Sequence, residues 1–300
     1  MIRSEKAVSE VIGMVMILFI MMIVIGAILL VGVPMIESGK ERARMDVAAN
    51  SFLSLQNDIE EVVRGPIWVT DPMDVTDVNR LGPSRETGFQ LMGGTLSVLP
   101  KAKTYMILDV TFTSSIQNYI IGAGEITFEA NGEEIGYENG ALIRKYEGGE
   151  PLMFSNPLIS IYNTLDNQTN PSDSNITISI HAINLSGNLS SVGGDGKARI
   201  ETRPENYKQI IPPDIIPGVT QLNISIYSAR DNINAWESFF NTKLETAGLV
   251  LQDQNCLLKT GYCIDKTSTS NLVVRIYGNN NTRPDIFLSV YESTLNVMVR

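Results

Sequence analysis

Residues 1–40 read MIRSEKAVSEVIGMVMILFIMMIVIGAILLVGVPMIESGK. A charged tip, Arg3-Ser4-Glu5-Lys6, runs straight into apolar sequence, and no charge occurs from Val11 to Ile36. A hydrocarbon core of about 30 Å is crossed by about 20 helical residues, so these 26 span it with length to spare. A secretory signal has an apolar core of roughly 7–15 residues and a small-x-small cleavage site. Neither feature fits, and the stretch reads as a membrane-spanning helix. Pro34 predicts a kink near one end of the span.

The helical pattern does not stop at the end of the apolar run. Met45, Ala48, Phe52, Leu55, Ile59 and Val62 recur at spacings of three and four, with Asp46, Asn50, Gln56, Asp58 and Glu61 between them. That is one apolar stripe on an otherwise polar helix. Gly65-Pro66 is the stop signal. The expectation is one helix of roughly 55 residues, its first half in lipid. Its second half, 37–64, is amphipathic and lays its stripe on the domain that follows.

The start of this helix carries a resemblance. Lys6-Ala7, then Val8-Ser9-Glu10-Val11-Ile12-Gly13 and a long apolar run, resembles the N-terminus of archaeal type IV pilin-like proteins. The resemblance covers about the first 60 residues. It implies a class III signal peptide: a leader, 1–7, is cut between Ala7 and Val8 by a prepilin-peptidase-like membrane protease. The helix beginning at Val8 then bundles with self or with other pilin-like subunits. Glu10 and Gly13 are the assembly candidates, Glu10 through a positive charge on a neighbouring chain. Glu10 departs from the family pattern, since many archaeal relatives have Pro there and bacterial pilins carry their Glu at the fifth mature position. Read without the resemblance, Glu10 lies at headgroup level beside Lys6, where a first-turn carboxylate suits the helix dipole. Gly13, Gly26 and Gly32 let helices approach closely in lipid, although Gly is common in membrane helices in any case.

From Gly65 onward the period changes to short apolar runs separated by Gly, Pro, Asn and Asp. Strands are predicted at 89–98, 104–113, 125–130, 152–162, 176–183 and 198–201. Asn131-Gly132 marks a hairpin turn. Ile176, Ile178 and Ile180 alternate cleanly with Thr177, Ser179 and His181. Prolines 204, 212, 213 and 217 suggest a linker or extended edge near 204. Beyond it come strands at 223–227, 249–251, 272–277, 286–290 and 295–299 and a helix at 229–247, entered through Ser228-x-x-Asp231 and stopped by Gly248. The predicted class is α+β: a long N-terminal transmembrane and amphipathic helix, then a mainly antiparallel β-sandwich-like extracellular domain with one additional helix. Residues 65–203 and 204–300 form either one domain or two.

Orientation is not settled by basic residues, because Arg3 and Lys6 precede the span while Lys40, Arg42 and Arg44 follow it. The downstream chain decides in favour of the outside. Cys256 and Cys263 flank a short segment containing Gly261. A disulfide can close such a loop in oxidising space, and the bridge is preferred to two free thiols. Asn-x-Ser/Thr sequons stand at Asn167, Asn175, Asn184, Asn188, Asn223 and Asn280, as candidate glycosylation sites.

Composition narrows the chemistry. The 300 residues carry a formal net charge of −10, which argues against nucleic acid as a partner. One histidine, His181, and two cysteines leave little for metal or nucleophile constellations. Ser38-Gly39-Lys40 lacks the spacing of a phosphate loop. Asp71, Asp74 and Asp77, and Asp166 with Asp173, are acidic but match no calcium loop. The sequence points to no catalytic residue, no cofactor and no metal. It points to a membrane-anchored cell-surface subunit that is not an enzyme. The alternative is a single-pass membrane protein whose extracellular β domain binds or senses without polymerising.

Overall fold

A computed structural model describes residues 3–64, 83–165, 174–212, 219–252, 261–278 and 285–300, with the backbone alone at 3–11, 164, 165, 174 and 285. The chain divides into two units, Met1–Asp46 and Val47–Arg300. In the first, every described residue is helical. The second is a β-rich domain that also holds the end of the same helix. The class is α+β.

Helix α1 runs Arg3–Arg64 and continues through Pro34. Within the second unit its stripe is buried as the spacing predicts: Ala48, Phe52, Leu55, Ile59 and Val62 are all 2% exposed or less. Phe52 meets Phe89 edge to face, ring centroids 5.3 Å apart, an arrangement that suits the ring quadrupoles.

Among the described residues sixteen strands follow. They are β1 (Arg85–Gln90), β2 (Gly94–Leu99), β3 (Tyr105–Phe112), β4 (Ile116–Ala123), β5 (Glu125–Ala130), β6 (Glu133–Glu138), β7 (Ala141–Lys145), β8 (Leu152–Ser155), β9 (Ile159–Leu165) and β10 (Ser174–Ser186). Then come β11 (Ser190–Gly194), β12 (Lys197–Ile211), β13 (Val219–Tyr227), β14 (Tyr262–Ser268), β15 (Asn271–Tyr277) and β16 (Asp285–Val299), with helix α2 (Ile233–Thr246) between β13 and β14. Six strands form one sheet in the order β11-β2-β5-β6-β7-β8. The other ten form a branched sheet around β16, which pairs β10 on one side and β12 on the other and touches β13 through Val219↔Ile286. Among the described residues the ladders between strands are antiparallel except β10 with β16, a parallel register running from Asn175↔Asp285 to Ser186↔Asn296. Alternation sets the buried face: Ile176, Ile178 and Ile180 are at most 1% exposed, and they join Ile224, Val274, Trp236 and Phe240 of α2 in the main core.

Several boundaries differ from the sequence reading. The run 89–98 is two strands, broken where Met92 and Gly93 take positive φ of 46° and 85°. The run 152–162 is also two, β8 and β9, separated around Asn156-Pro157. Of the two readings near residue 204 the extended edge holds and the linker does not: Pro204 lies inside β12, past the last residue paired with β1 and at a register shift against β16, where a residue with no N–H is tolerated. Ile286–Val290 and Leu295–Val299 are one strand, β16. Leu249–Leu251 makes only an isolated bridge, Leu251↔Tyr262. Helix α2 begins at Ile233, four residues later than expected.

Candidate functional site

The first candidate surface is the apolar part of α1. Among the described residues this is the one helix long and apolar enough to cross a membrane, and its most apolar window is entirely unburied by protein. Met14 is 73% and Leu30 79% exposed. Burying an aliphatic side chain is worth about 1.5–3 kcal/mol, so a run of such residues bare in water is untenable, and the helix fits membrane anchoring. A Cβ added at Gly13 or Gly26 would meet nothing within 4 Å, so both leave open notches on this surface. Lys6, Ala7, Val8 and Glu10 lie in the helical segment, but their side chains fall outside the described residues.

The second element is the clamp at the other end of α1. Gln56 is 4% exposed. Its Nε2 donates to the carbonyls of Gly140 at 2.7 Å and Asn156 at 3.0 Å, and its Oε1 accepts from Ser155 Oγ at 2.5 Å. One side chain thus joins the helix to the β6–β7 turn and to edge strand β8. Thr87 Oγ1 donates to Asp58 at 2.5 Å and Arg85 pairs with Glu61 at 2.5 Å, tying α1 to β1 as well.

The third element is a buried acidic network where α2 begins. Glu138, at the end of β6, is 2% exposed. Its carboxyl accepts from Trp236 Nε1 at 2.5 Å, Ser228 Oγ at 2.9 Å and Asn232 Nδ2 at 3.4 Å. Burial pushes it up to about 7, even though these three donors favour the charged form. Ser228, expected to help open the helix, spends its hydroxyl on Glu138, and the N-cap residue Asn232 makes no side-chain cap bond. Next to this cluster Arg230 binds Glu125 through Nε at 3.0 Å and Glu129 through Nη1 at 2.5 Å, with Glu134 at 3.5 Å. Thr104 Oγ1 donates to the other Glu125 oxygen at 2.7 Å. The network fixes the 228–232 loop to the β5–β6 hairpin. The sequence reading missed it; the signal available was glutamate at 125, 129, 134 and 138 flanking the Asn131-Gly132 turn.

His181 is not isolated as its sequence context suggested. Its Nε2 lies 2.9 Å from Ser293 Oγ, and its ring sits beside Tyr207 and Tyr291. Burial lowers its pKa to about 4, so the ring is neutral at ordinary pH. Among the described residues the ring's hydrogen bond is to Ser293, and none of them gives it a carboxylate partner of the kind that orients a base. Among the described residues no three His, Cys, Asp or Glu side chains are grouped to hold a metal ion.

Cys263 is buried on β14 and disulfide-bonded. Cys256, the other cysteine of the sequence, lies outside the described residues. Of the sequons, Asn188 is exposed between β10 and β11. Asn175, Asn184 and Asn223 are half-buried on strands, and Asn184 Nδ2 donates to Thr294 Oγ1 at 3.3 Å. Asn167 and Asn280, together with Asp71, Asp74, Asp77, Asp166 and Asp173, lie outside the described residues.

A membrane-fitted helix carrying a β-rich domain is the class of protein that fold and site define. Residues 72–274, well over half of the chain, match the model of a family of unknown function, DUF7289, and the chain belongs to that family. No curated protein and no solved structure matches it.

Proposed function

We propose that this chain is a pilin-like cell-surface subunit. Its N-terminal helix anchors it in the cytoplasmic membrane and, after cleavage between Ala7 and Val8, packs with other such helices in a filament or assembly complex. The β-rich domain stands outside the cell and makes adhesive or subunit contacts. The observation that carries this reading is the unburied, uncharged surface of α1 directly behind Lys6-Ala7-Val8-Ser9-Glu10. A plain anchor needs the apolar length but not the charged tip and Lys-Ala junction. The disulfide at Cys263 supports an oxidising location. The exposed Asn188 offers a site for a glycan.

The alternative is a single-pass protein with a non-polymerising β domain that binds or senses. The two readings part at the leader. Intact mass and N-terminal sequence of the protein from its own membranes test this: a start at Val8, or one residue either side, supports the subunit, and a start at Met1 or Ile2 overturns it. Assembly through Glu10 is tested separately by filament recovery from Glu10→Gln, and undiminished recovery removes Glu10 from the mechanism.

A further inference from the structure

Sheet edges expose unpaired backbone groups, and proteins blunt them with charges, proline, bulges or short length. Most edges in this domain are managed. β1 carries Arg85 and Glu86, and β14 carries Asp265 and Lys266. β9 lies against α2. β11 and β8 are only five and four residues long. β4 differs. It is eight residues long, Ile116-Gln117-Asn118-Tyr119-Ile120-Ile121-Gly122-Ala123, with no charge and no proline. Among the described residues it pairs only with β3; its Gly122 end packs near Ala182 of β10 and donates to Glu292 Oε1 at 3.3 Å, which leaves Ile116–Ile120 as the open stretch. Its register from Thr111↔Ile116 to Met106↔Ile121 is regular, and the one shift comes beyond it, toward Ala123.

The free edge has a defined chemistry. Phe112 N–H donates to Ser115 O at 2.8 Å, closing the β3–β4 hairpin. Hydrogen-bonded and non-bonded pairs alternate along an antiparallel ladder. Ile116, Asn118 and Ile120 therefore turn their N–H and C=O groups away from β3, toward the open side. The side chains of Ile116 and Ile120 are 74% and 67% exposed, on a domain whose other isoleucines are largely buried. Asn118 Nδ2 donates to Asp109 Oδ1 at 2.5 Å and shields the nearest carboxylate on the neighbouring strand.

The order of these residues names the occupant. Centred on Asn118, the three outward-turned residues read alike in both directions: Ile116, Asn118, Ile120. A twofold interface brings one patch against itself, so it must be self-complementary. We propose that β4 is the seam through which two copies of this chain pair, antiparallel, about an axis at Asn118. Ile116 of each copy then faces Ile120 of the other, and Asn118 faces its own counterpart. The three outward-turned residues of each copy exchange backbone hydrogen bonds across the seam. No charge on either strand opposes the approach, in a chain whose net charge is −10. This pairing does not depend on the pilin reading.

The test is site-directed cross-linking of the full chain in native membranes. Asn118→Cys, treated with a short bismaleimide, is expected to give a homodimer in yield well above that of Leu189→Cys, an exposed site far from the strand in sequence. Adding Ile120→Lys, which plants a charge on the edge, should lower the Asn118→Cys yield about tenfold. Ile116→Lys serves as a second version should that variant not fold. A yield from Asn118→Cys no higher than from Leu189→Cys overturns the proposal. So does cross-linking that survives both lysine substitutions, since it then reflects contact elsewhere, or capture of a different protein in place of a second copy.

Discussion

Gln56 Nε2 sits 2.7 Å from the carbonyl oxygen of Gly140, a hydrogen bond between residues 84 positions apart. It is the central bond of the clamp that holds α1 to the β6–β7 turn and β8. Gln56→Ala leaves the Gly140 and Asn156 carbonyls and the Ser155 hydroxyl without this partner. Buried groups stripped of a partner cost about 1–3 kcal/mol, so chemical denaturation should show a loss of that size. Ser54→Ala, which removes an exposed hydroxyl bonded only to Asn50 O in its own helix, should change stability by less than about 0.5 kcal/mol. Equal effects from the two would mean the clamp carries no stability.

Arg230 bridges Glu125, Glu129 and Glu134. Removing one partner of a buried pair strands the other, at a cost of about 3–5 kcal/mol. Glu125 is that other partner, its side chain only 4% exposed. Arg230→Ala should lower the thermal midpoint sharply, and adding Glu125→Gln should restore part of the loss. A double variant no better than Arg230→Ala would show that the burden does not rest on Glu125.

Glu138 makes stability depend on pH. Burial raises its carboxyl from 4.5 to about 7 in the fold, so the folded chain holds this proton more tightly than the unfolded one. The resulting stabilisation is complete below about pH 4.5 and is lost as pH rises through about 7. Glu138→Gln imitates the neutral carboxyl. The melting temperature of this variant should therefore fall less than that of the unaltered chain between pH 5 and pH 8. Parallel curves would assign the pH dependence to other groups.

Two glycines contrast a tight and an open position, Gly94 on β2 of the six-stranded sheet and Gly88 on β1 of the ten-stranded one. A Cβ built on Gly94 would lie 2.3 Å from Cζ of the fully buried Phe128 ring, whereas one built on Gly88 meets nothing within 4 Å. Gly94→Ala should cost about 1–3 kcal/mol by overpacking. Gly88→Ala should be close to neutral. Urea titration of both variants decides this, and a neutral Gly94→Ala would mean that the Phe128 ring moves aside freely.

What the sequence revealed follows the range of the interactions involved. The stripe from Ala48 to Val62 was legible because helical burial repeats every three to four residues within one segment. The strand at Ile176–Ile180 was legible for the same reason at period two. The split at Met92-Gly93 was passed over although Gly93-Gly94 is a turn signal, because Met92, the first central residue of the turn closed by Gly94 N–H on Leu91 O, carries none. β4 escaped notice because Ile120 and Ile121 adjoin, one exposed and one buried, which hides the alternation. Ser228 looked like a helix-start residue, and only the fold shows its hydroxyl taken by Glu138, 90 positions earlier. Gln56 read as one polar residue among several on the outer face of a helix. Nothing local distinguished it from Asn50 or Glu61.

The position of β16 sets the order in which the domain can be completed. This strand lies between β10 and β12 and touches β13, yet it follows all three in the chain. During vectorial synthesis its partners emerge first and stay unzipped along their inner edges until Asp285–Val299 arrives. Distant pairings of this kind close slowly, because the loop entropy is lost before the contacts form. The helix, by contrast, needs no later residue to form its own hydrogen bonds. The chain is thus built to be tethered first and to knit its sheet last, leaving an interval in which chaperones can hold the open strands apart.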